Sequence, residues 1–233
     1  RQMLGASDAA SWYRLASPFS AANMQVNVAG YVDTSYKGRN QSLTDLVDLI
    51  QCVITARRGN YLVFFPSYDY LRSAVQVFEN RFPQISLLVQ QRKMSDEERQ
   101  NFLSAFKDGG EVCGFAVMGG AFSEGVDLKG NRLIGAIVVG VGLPQIGIER
   151  DLIRNHFPEA GFEYAYQYPG LVRVLQTAGR VIRDEEDRGI IFLVDKRYRE
   201  RRYLDLLPSE WVPRFCENTA EIAVNLESFW SRQ

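Results

Sequence analysis

Histidine is almost missing from this chain: one, His156, occurs in 233 residues, and the three cysteines, Cys52, Cys113 and Cys216, form no CxxC pair. That excludes a protein-only zinc site, which draws its ligands chiefly from those two residue types, and no metal ligand is expected beyond carboxylates of the kind magnesium uses. Three thiols, odd in number and far apart, fit a reducing intracellular compartment, and two of them sit in apolar surroundings that read as core. No Gly-Lys dipeptide occurs, so the phosphate loop G-x-x-x-x-G-K-[ST] is absent. No apolar run approaches the length of a membrane span. Net charge is also missing: 27 basic residues stand against 28 acidic ones, a net charge of -1, so no global field draws the chain to nucleic acid or membrane. Any phosphate binding must be local. The start, RQMLGASDAASWY, lacks an initiator Met and a signal-peptide pattern, and a segment of a longer protein is expected.

What is present reads as α/β. A hydrophobic content of 46% is enough for a real core and excludes disorder. Five short apolar runs, YLVFF (61–65), ISLLV (85–89), VCGFAVM (112–118), LIGAIVVG (133–140) and GIIFLVD (189–195), are nearly continuous, as in strands buried on both faces of a parallel sheet. Amphipathic stretches separate them. SLTDLVDLIQCVITARRG predicts a helix with Ser42 and Asp45 as a capping box and Gly59 beyond its end; SDEERQNFLSAFKDGG predicts another with Ser95 and Glu98 as the box and Gly109 as the stop. A third follows SYDYLRSAVQVFENRF. The order from Ser42 is helix, strand, helix, strand, helix, strand, strand, helical region, strand, which matches a doubly wound sheet in one domain over residues 1–233. Residues 1–40 read as linker and edge elements, with an edge strand in MQVNVAGYV, and 209–233 as a terminal helix packing Ile222, Leu226 and Phe229.

Three segments are candidates for chemistry. After VCGFAVM comes GGAFSEGVDLKGN, a Gly-rich polar loop at a strand's carboxyl end, where ligands of open α/β sheets bind; Gly119, Gly120 and Gly125 admit an anion, and Ser123, Glu124 and Asp127 bring polar groups. The bland alternative is a strand connection with solvated carboxylates. A hydrolase elbow at AFSEG is disfavoured, because it needs a helix directly after Ser123 and leaves His156 as the sole base. In FFPSYDYL, Ser67 predicts an N-cap whose helix end offers donors to a phosphate oxygen. Lastly, residues 176–189 read QTAGRVIRDEEDRG. On a helix Gln176, Arg180 and Arg183 fall within roughly 60° of one another, opposite an apolar side of Val174, Leu175, Ala178, Val181 and Ile182. A salt-bridged surface helix is the plain reading. Two arginines held at the mouth of a parallel sheet would alternatively stabilise charge developing on a transferring phosphoryl group, with the phosphate cradle supplied from elsewhere.

At these residues the chain resembles a known family. GGAFSEGVDLKGNRLIGAIVVGVGLP resembles motif V, and YAYQYPGLVRVLQTAGRVIRDEEDRGIIFLVDKRY motif VI with its lead-in, of superfamily-two DNA helicases of the DinG and XPD type. YLVFFPSYDYL is similar to motif IV and LASPF to the segment just after the first motor domain, so the likeness covers nearly the whole chain in order. The resemblance implies a second RecA-like motor domain of an ATP-dependent DNA helicase. ATP and Mg²⁺ would be bound mainly by an N-terminal motor domain, the partner that also carries an iron–sulfur cluster in many members; none is expected in this segment. It further implies that Arg180 and Arg183 reach the ATP γ-phosphate with Gln176 assisting, that Glu124, Gly125 and Asp127 lie at the nucleotide or coupling face, and that Ser67 and Ser123 touch the backbone of single-stranded DNA. Asp187, Gly189, Asp195 and Arg197 match positions that support the fold, and for the YAYQY tyrosines Tyr164, Tyr166 and Tyr168 a structural role is expected ahead of the alternative, stacking surfaces for bases. The implied location is the cytoplasm or nucleoid. The alternative is a non-catalytic nucleic-acid or protein interaction domain that keeps the motor fold.

Overall fold

The run Tyr61–Phe65 forms strand β2 with all five residues buried, as a segment apolar on both faces must. In a computed structural model of the chain, which describes residues 11, 20–122, 128–181 and 186–231, six further strands join it. They are β1 (Met24–Ala29), β3 (Leu87–Val89), β4 (Cys113–Val117), β5 (Gly135–Val139), β6 (Gly189–Val194) and β7 (Arg214–Cys216). The order across the sheet is β3-β4-β2-β5-β6-β1-β7, and every pairing is parallel. This is the doubly wound parallel arrangement expected from the alternating runs.

Strand pleat divides the core in two. Tyr61, Val63 and Phe65 face one layer, where α1 (Leu43–Ala56), α2 (Tyr68–Arg81) and α7 (Thr219–Trp230) pack, whereas Leu62 and Phe64 face α3 (Asp96–Ser104) and α5 (Tyr168–Ala178) on the other. Ile222, Leu226 and Phe229 anchor α7 as the sequence predicts. A shorter helix, α4 (Ile148–His156), buries none of its side chains, and α6 spans Arg201–Leu204.

Local chemistry explains where expectation and structure part. Ser95 and Glu98 do form a reciprocal capping box on α3, but the helix ends at Ser104, and Gly109, at φ +69°, turns the chain only afterwards. Ser42 makes no cap bond; its Oγ accepts the backbone N–H of Asp33 at 3.1 Å, and Asp45 lacks the reach of the Glu or Gln that closes such a box. MQVNVAGYV is not an edge: β1 lies between β6 and β7. Its polar alternation suggests a half-exposed strand, yet Gln25 and Asn27 are buried and bond each other, Gln25 Nε2 donating to Asn27 Oδ1 at 3.0 Å. The edges are instead β3, reduced to three half-buried residues, and β7, which precedes the terminal helix in a stretch read as helix alone. LASPF (15–19) lies outside the described residues.

Candidate functional site: two edges of one parallel sheet

Because all strands run one way, their carboxyl ends share one edge. There β2 leads through Pro66 to Ser67, the N-cap of α2, whose Oγ accepts the N–H of Tyr70 at 3.3 Å and keeps its own O–H to donate. Buried Gln90, just past β3, ties neighbouring ends together: Oε1 accepts the N–H of Val117 at 2.8 Å, and Nε2 donates to the Tyr68 hydroxyl at 2.9 Å. Gly119 follows β4 at φ +72°, and a Cβ there would lie 3.8 Å from Nε of Arg173 on α5. Beyond β5, Gly142 has φ +67°, and a Cβ on it would sit 2.4 Å from the carbonyl oxygen of Gly170, so the loop rests directly on the start of α5. Beyond β6, Asp195 is fully buried and accepts hydrogen bonds from Thr34 Oγ1, the Arg197 backbone N–H (2.7 Å), Nε (2.7 Å) and Nη2 (2.8 Å). Burial disfavours the Arg197 charge, but the bonds and charge of Asp195 outweigh it, and the guanidinium pKa is raised.

The amino edge holds a different set. Helix α5 returns antiparallel to the strands and stops at Ala178, where the Gly179 N–H reaches Leu175 O at 2.8 Å. Arg180 and Val181 continue as a turn, bonding Thr177 O and Ala178 O at 3.3 Å. Val181 is buried against Gly189, the first residue of β6, where a Cβ would come within 2.3 Å of it. Helix α5 therefore does not carry both Gln176 and Arg180: Gln176 is exposed in its last turn, and half-buried Arg180 lies beyond it. The packing of Val181 on Gly189 ties this turn to the start of β6. It also puts Arg180 at the amino edge, opposite the carboxyl edge that carries Ser67 and Gly119.

Beside that turn is a polar hollow of about 380 Å³ lined by Lys129, Gly130, Asn131, Glu186, Asp187 and Arg188. Buried Asp187 accepts the Gly130 N–H through Oδ1 at 2.9 Å and so joins the loops ahead of β5 and β6. Asn60, fully buried, adds a third loop: Nδ2 donates to Lys107 O (2.6 Å) and Asn131 O (3.2 Å), and Oδ1 accepts from Val112 N (2.9 Å). Ser123, Glu124, Gly125, Asp127 and Arg183, all singled out from sequence, lie outside the described residues.

Of the tyrosines in YAYQY, Tyr166 is buried against Phe162, and Tyr164 meets Tyr168 edge-on at 5.3 Å on a π-helical turn over Glu163–Gln167 that leads into α5. Cys113 is buried, which pushes its thiol up to about 12. Among the described residues no three of His, Cys, Asp and Glu cluster as metal ligands, and no helix is long and apolar enough to cross a membrane. Sequence reasoning missed Gln90 and the loop Tyr36–Arg39; a polar residue at a strand's carboxyl end and an aromatic among basic residues were the available signals.

Residues 50–214 match the family described as the helicase C-terminal domain. A probable ATP-dependent helicase of Methanocaldococcus jannaschii is 25% identical over 94% of this chain and 34% of its own length. The XPD helicase subunit of general transcription and DNA repair factor IIH from Dictyostelium discoideum is 26% identical over 74% of the chain and 24% of itself. The chain thus spans about a third of one relative's length and about a quarter of the other's. Among solved structures, an XPD helicase superposes with a TM-score of 0.63 at 22% identity, covering 83% of this chain and 35% of the other, and Dbp5 of S. cerevisiae bound to RNA with a TM-score of 0.56 at 11% identity, covering 91% and 46%. These two likenesses concern the fold. With more than half of its length matched and a RecA-like fold, the chain belongs to the helicase C-terminal domain family.

Proposed function

We propose that this chain is the second motor domain of an ATP-dependent DNA helicase, working with an N-terminal motor domain that binds most of ATP and Mg²⁺. The observation that carries the reading is the family match over 50–214, which takes in both the Ser67 cap and the Arg180 turn. The separation of these two sites on opposite edges supports a division of labour. From the amino edge Arg180, with Arg183 and Gln176, would face the γ-phosphate of a nucleotide held by the partner domain, and Glu124, Gly125 and Asp127 would serve the nucleotide or coupling face. An arginine there stabilises negative charge that grows as the phosphoryl group leaves. On the carboxyl edge, Ser67 and Ser123 would donate hydrogen bonds to the phosphodiester backbone of single-stranded DNA, which needs local donors rather than a net positive charge. Domain closure on ATP and release after hydrolysis would then advance the strand.

The test is DNA-stimulated ATP hydrolysis by a protein carrying this domain with its first motor domain, comparing wild type with Arg180→Ala and Arg183→Ala. A loss of turnover of about a hundredfold or more, with single-strand binding intact, is expected. Unchanged turnover would leave Arg180 a structural residue and the chain a non-catalytic interaction domain.

A further inference from the structure

Six exposed arginines are ion-paired, Arg58 with Glu111, Arg72 with Asp69, Arg81 with Asp48, Arg99 with Asp96, Arg199 with Glu217 and Arg202 with Glu200, whereas Arg57, Arg154 and Arg201 are exposed with no ion pair to the described residues. Two further arginines without an ion pair stand together at the carboxyl edge. Arg39 has no carboxylate within ion-pair distance among the described residues; its guanidinium lies over the Tyr36 ring at 4.7 Å and over the Tyr70 ring at 5.4 Å. Arg92 likewise lies over Tyr68, at 5.7 Å, without an acidic partner among the described residues. Tyr68 and Tyr70 both belong to the first turn of α2, so the two arginine–tyrosine pairs flank Ser67 from either side. Tyr70 is buried and serves as a floor, whereas Tyr36 is 84% exposed. An open groove of about 380 Å³ continues from Tyr68 between α2 and the end of β3, past Gln91 and Arg92.

Together these features leave recognition groups open to a ligand: a large aromatic ring stands in water, and two guanidinium groups keep their in-plane N–H donors for solvent rather than for carboxylates. Stacking on tyrosine orients such a guanidinium with its donors pointing outward, ready for phosphate oxygens, while the free face of an exposed tyrosine accepts any base. A protein partner would use carboxylates to complement the arginines, but it would have no use for a flat ring lying alongside each charge. We propose that Tyr36, Arg39, Tyr68 and Arg92 form a sequence-tolerant tract for single-stranded nucleic acid across the start of α2, with a base stacked on Tyr36 and phosphates held by Arg39 and Arg92. The proposal rests on the helicase reading for its choice of ligand and extends that reading from backbone contact at Ser67 to stacking.

The experiment is fluorescence anisotropy of the chain with a labelled oligothymidylate and with an abasic deoxyribose-phosphate strand of equal length. Tyr36→Ala is expected to weaken thymidylate binding about five- to a hundredfold while leaving the abasic strand unchanged, and Tyr36→Phe to bind as wild type. Arg39→Gln and Arg92→Gln should weaken both strands, each lowering the slope of log affinity against log salt by about 0.7. Arg39 also covers buried Tyr70, so circular dichroism accompanies Arg39→Gln, and Arg39→Lys, which keeps the charge, should retain the salt slope. Wild-type affinity for thymidylate in Tyr36→Ala and in the Arg39→Gln/Arg92→Gln double variant overturns the tract, as does a wild-type chain that binds neither strand. The two readings separate cleanly: loss of the tract with Arg180-dependent hydrolysis intact removes this proposal alone, and the reverse removes the helicase assignment alone.

Discussion

Replacing Asn60 with alanine removes the side chain that fastens three loops at the amino edge of the sheet. Its amide donates to Lys107 O and Asn131 O and accepts from Val112 N, all with the side chain out of contact with solvent. The two carbonyls belong to exposed residues and can turn to water, but the Val112 N–H loses its partner in a half-buried setting. An orphaned donor of this kind costs about 1–3 kcal/mol, and with part of the two lost acceptor bonds the total is about 2–3 kcal/mol. For a domain of this size each kcal/mol lowers the melting temperature by about 2–4 °C, so Asn60→Ala should melt about 4–12 °C below wild type in a thermal scan followed by circular dichroism. Asn60→Asp sharpens the test. The carboxylate keeps an acceptor for Val112 but turns an oxygen toward two carbonyl oxygens, so at neutral pH it should be at least as unstable as the alanine variant. Its folded pKa is then raised above the unfolded value, and its stability must be regained as pH falls and the carboxyl gains an O–H donor. A melting temperature within about 1 °C of wild type for Asn60→Ala, or an aspartate variant indifferent to pH, would refute the clamp.

Two further outcomes follow from the carboxyl edge. Gly142→Ala combines a positive φ, worth about 1–2 kcal/mol for a residue with a Cβ, with a Cβ placed 2.4 Å from Gly170 O, and should melt well below wild type and reduce soluble yield; unchanged stability would mean that the loop and α5 can part without cost. Asp33 is a pH probe: slight burial pulls its carboxyl up, but hydrogen bonds from Lys196 and Ser35 prevail and lower it from 3.8 to about 2. A depressed carboxyl contributes stability that is present above its unfolded value and lost as pH falls through the folded one. Wild type should therefore lose stability between about pH 4 and about pH 2 through this group, Asp33→Asn should lack that part of the acid limb, and superimposable acid titrations would contradict the assignment.

Much of this fold is written in short-range pattern. Runs such as Tyr61–Phe65 and Gly189–Val194 are apolar at every position, which only a strand covered on both faces tolerates, and the capping box of Ser95 and Glu98 needs just the four residues it spans. Family membership was legible for the same reason: Q-x-x-G-R-x-I-R and its neighbours are contiguous. Long-range pairing decided the rest. No local signal places β1 inside the sheet, because its polar residues Gln25 and Asn27 are buried, Gln25 Nε2 donating to Asn27 Oδ1 rather than to water. The end of α5 at Ala178 depends on Gly189 receiving Val181, and Asn60 becomes a clamp only when residues 47, 52 and 71 positions away converge on it. Likewise Tyr36, Arg39, Tyr68 and Arg92 come from three separate loops and helix ends that meet only at the carboxyl edge. Sequence by itself determined the five apolar strands, the main helices between them and the family. Tertiary structure alone decided which edge Ser67 and Arg180 occupy, because parallel strands gather their distant carboxyl ends on one side and return their helices to the other.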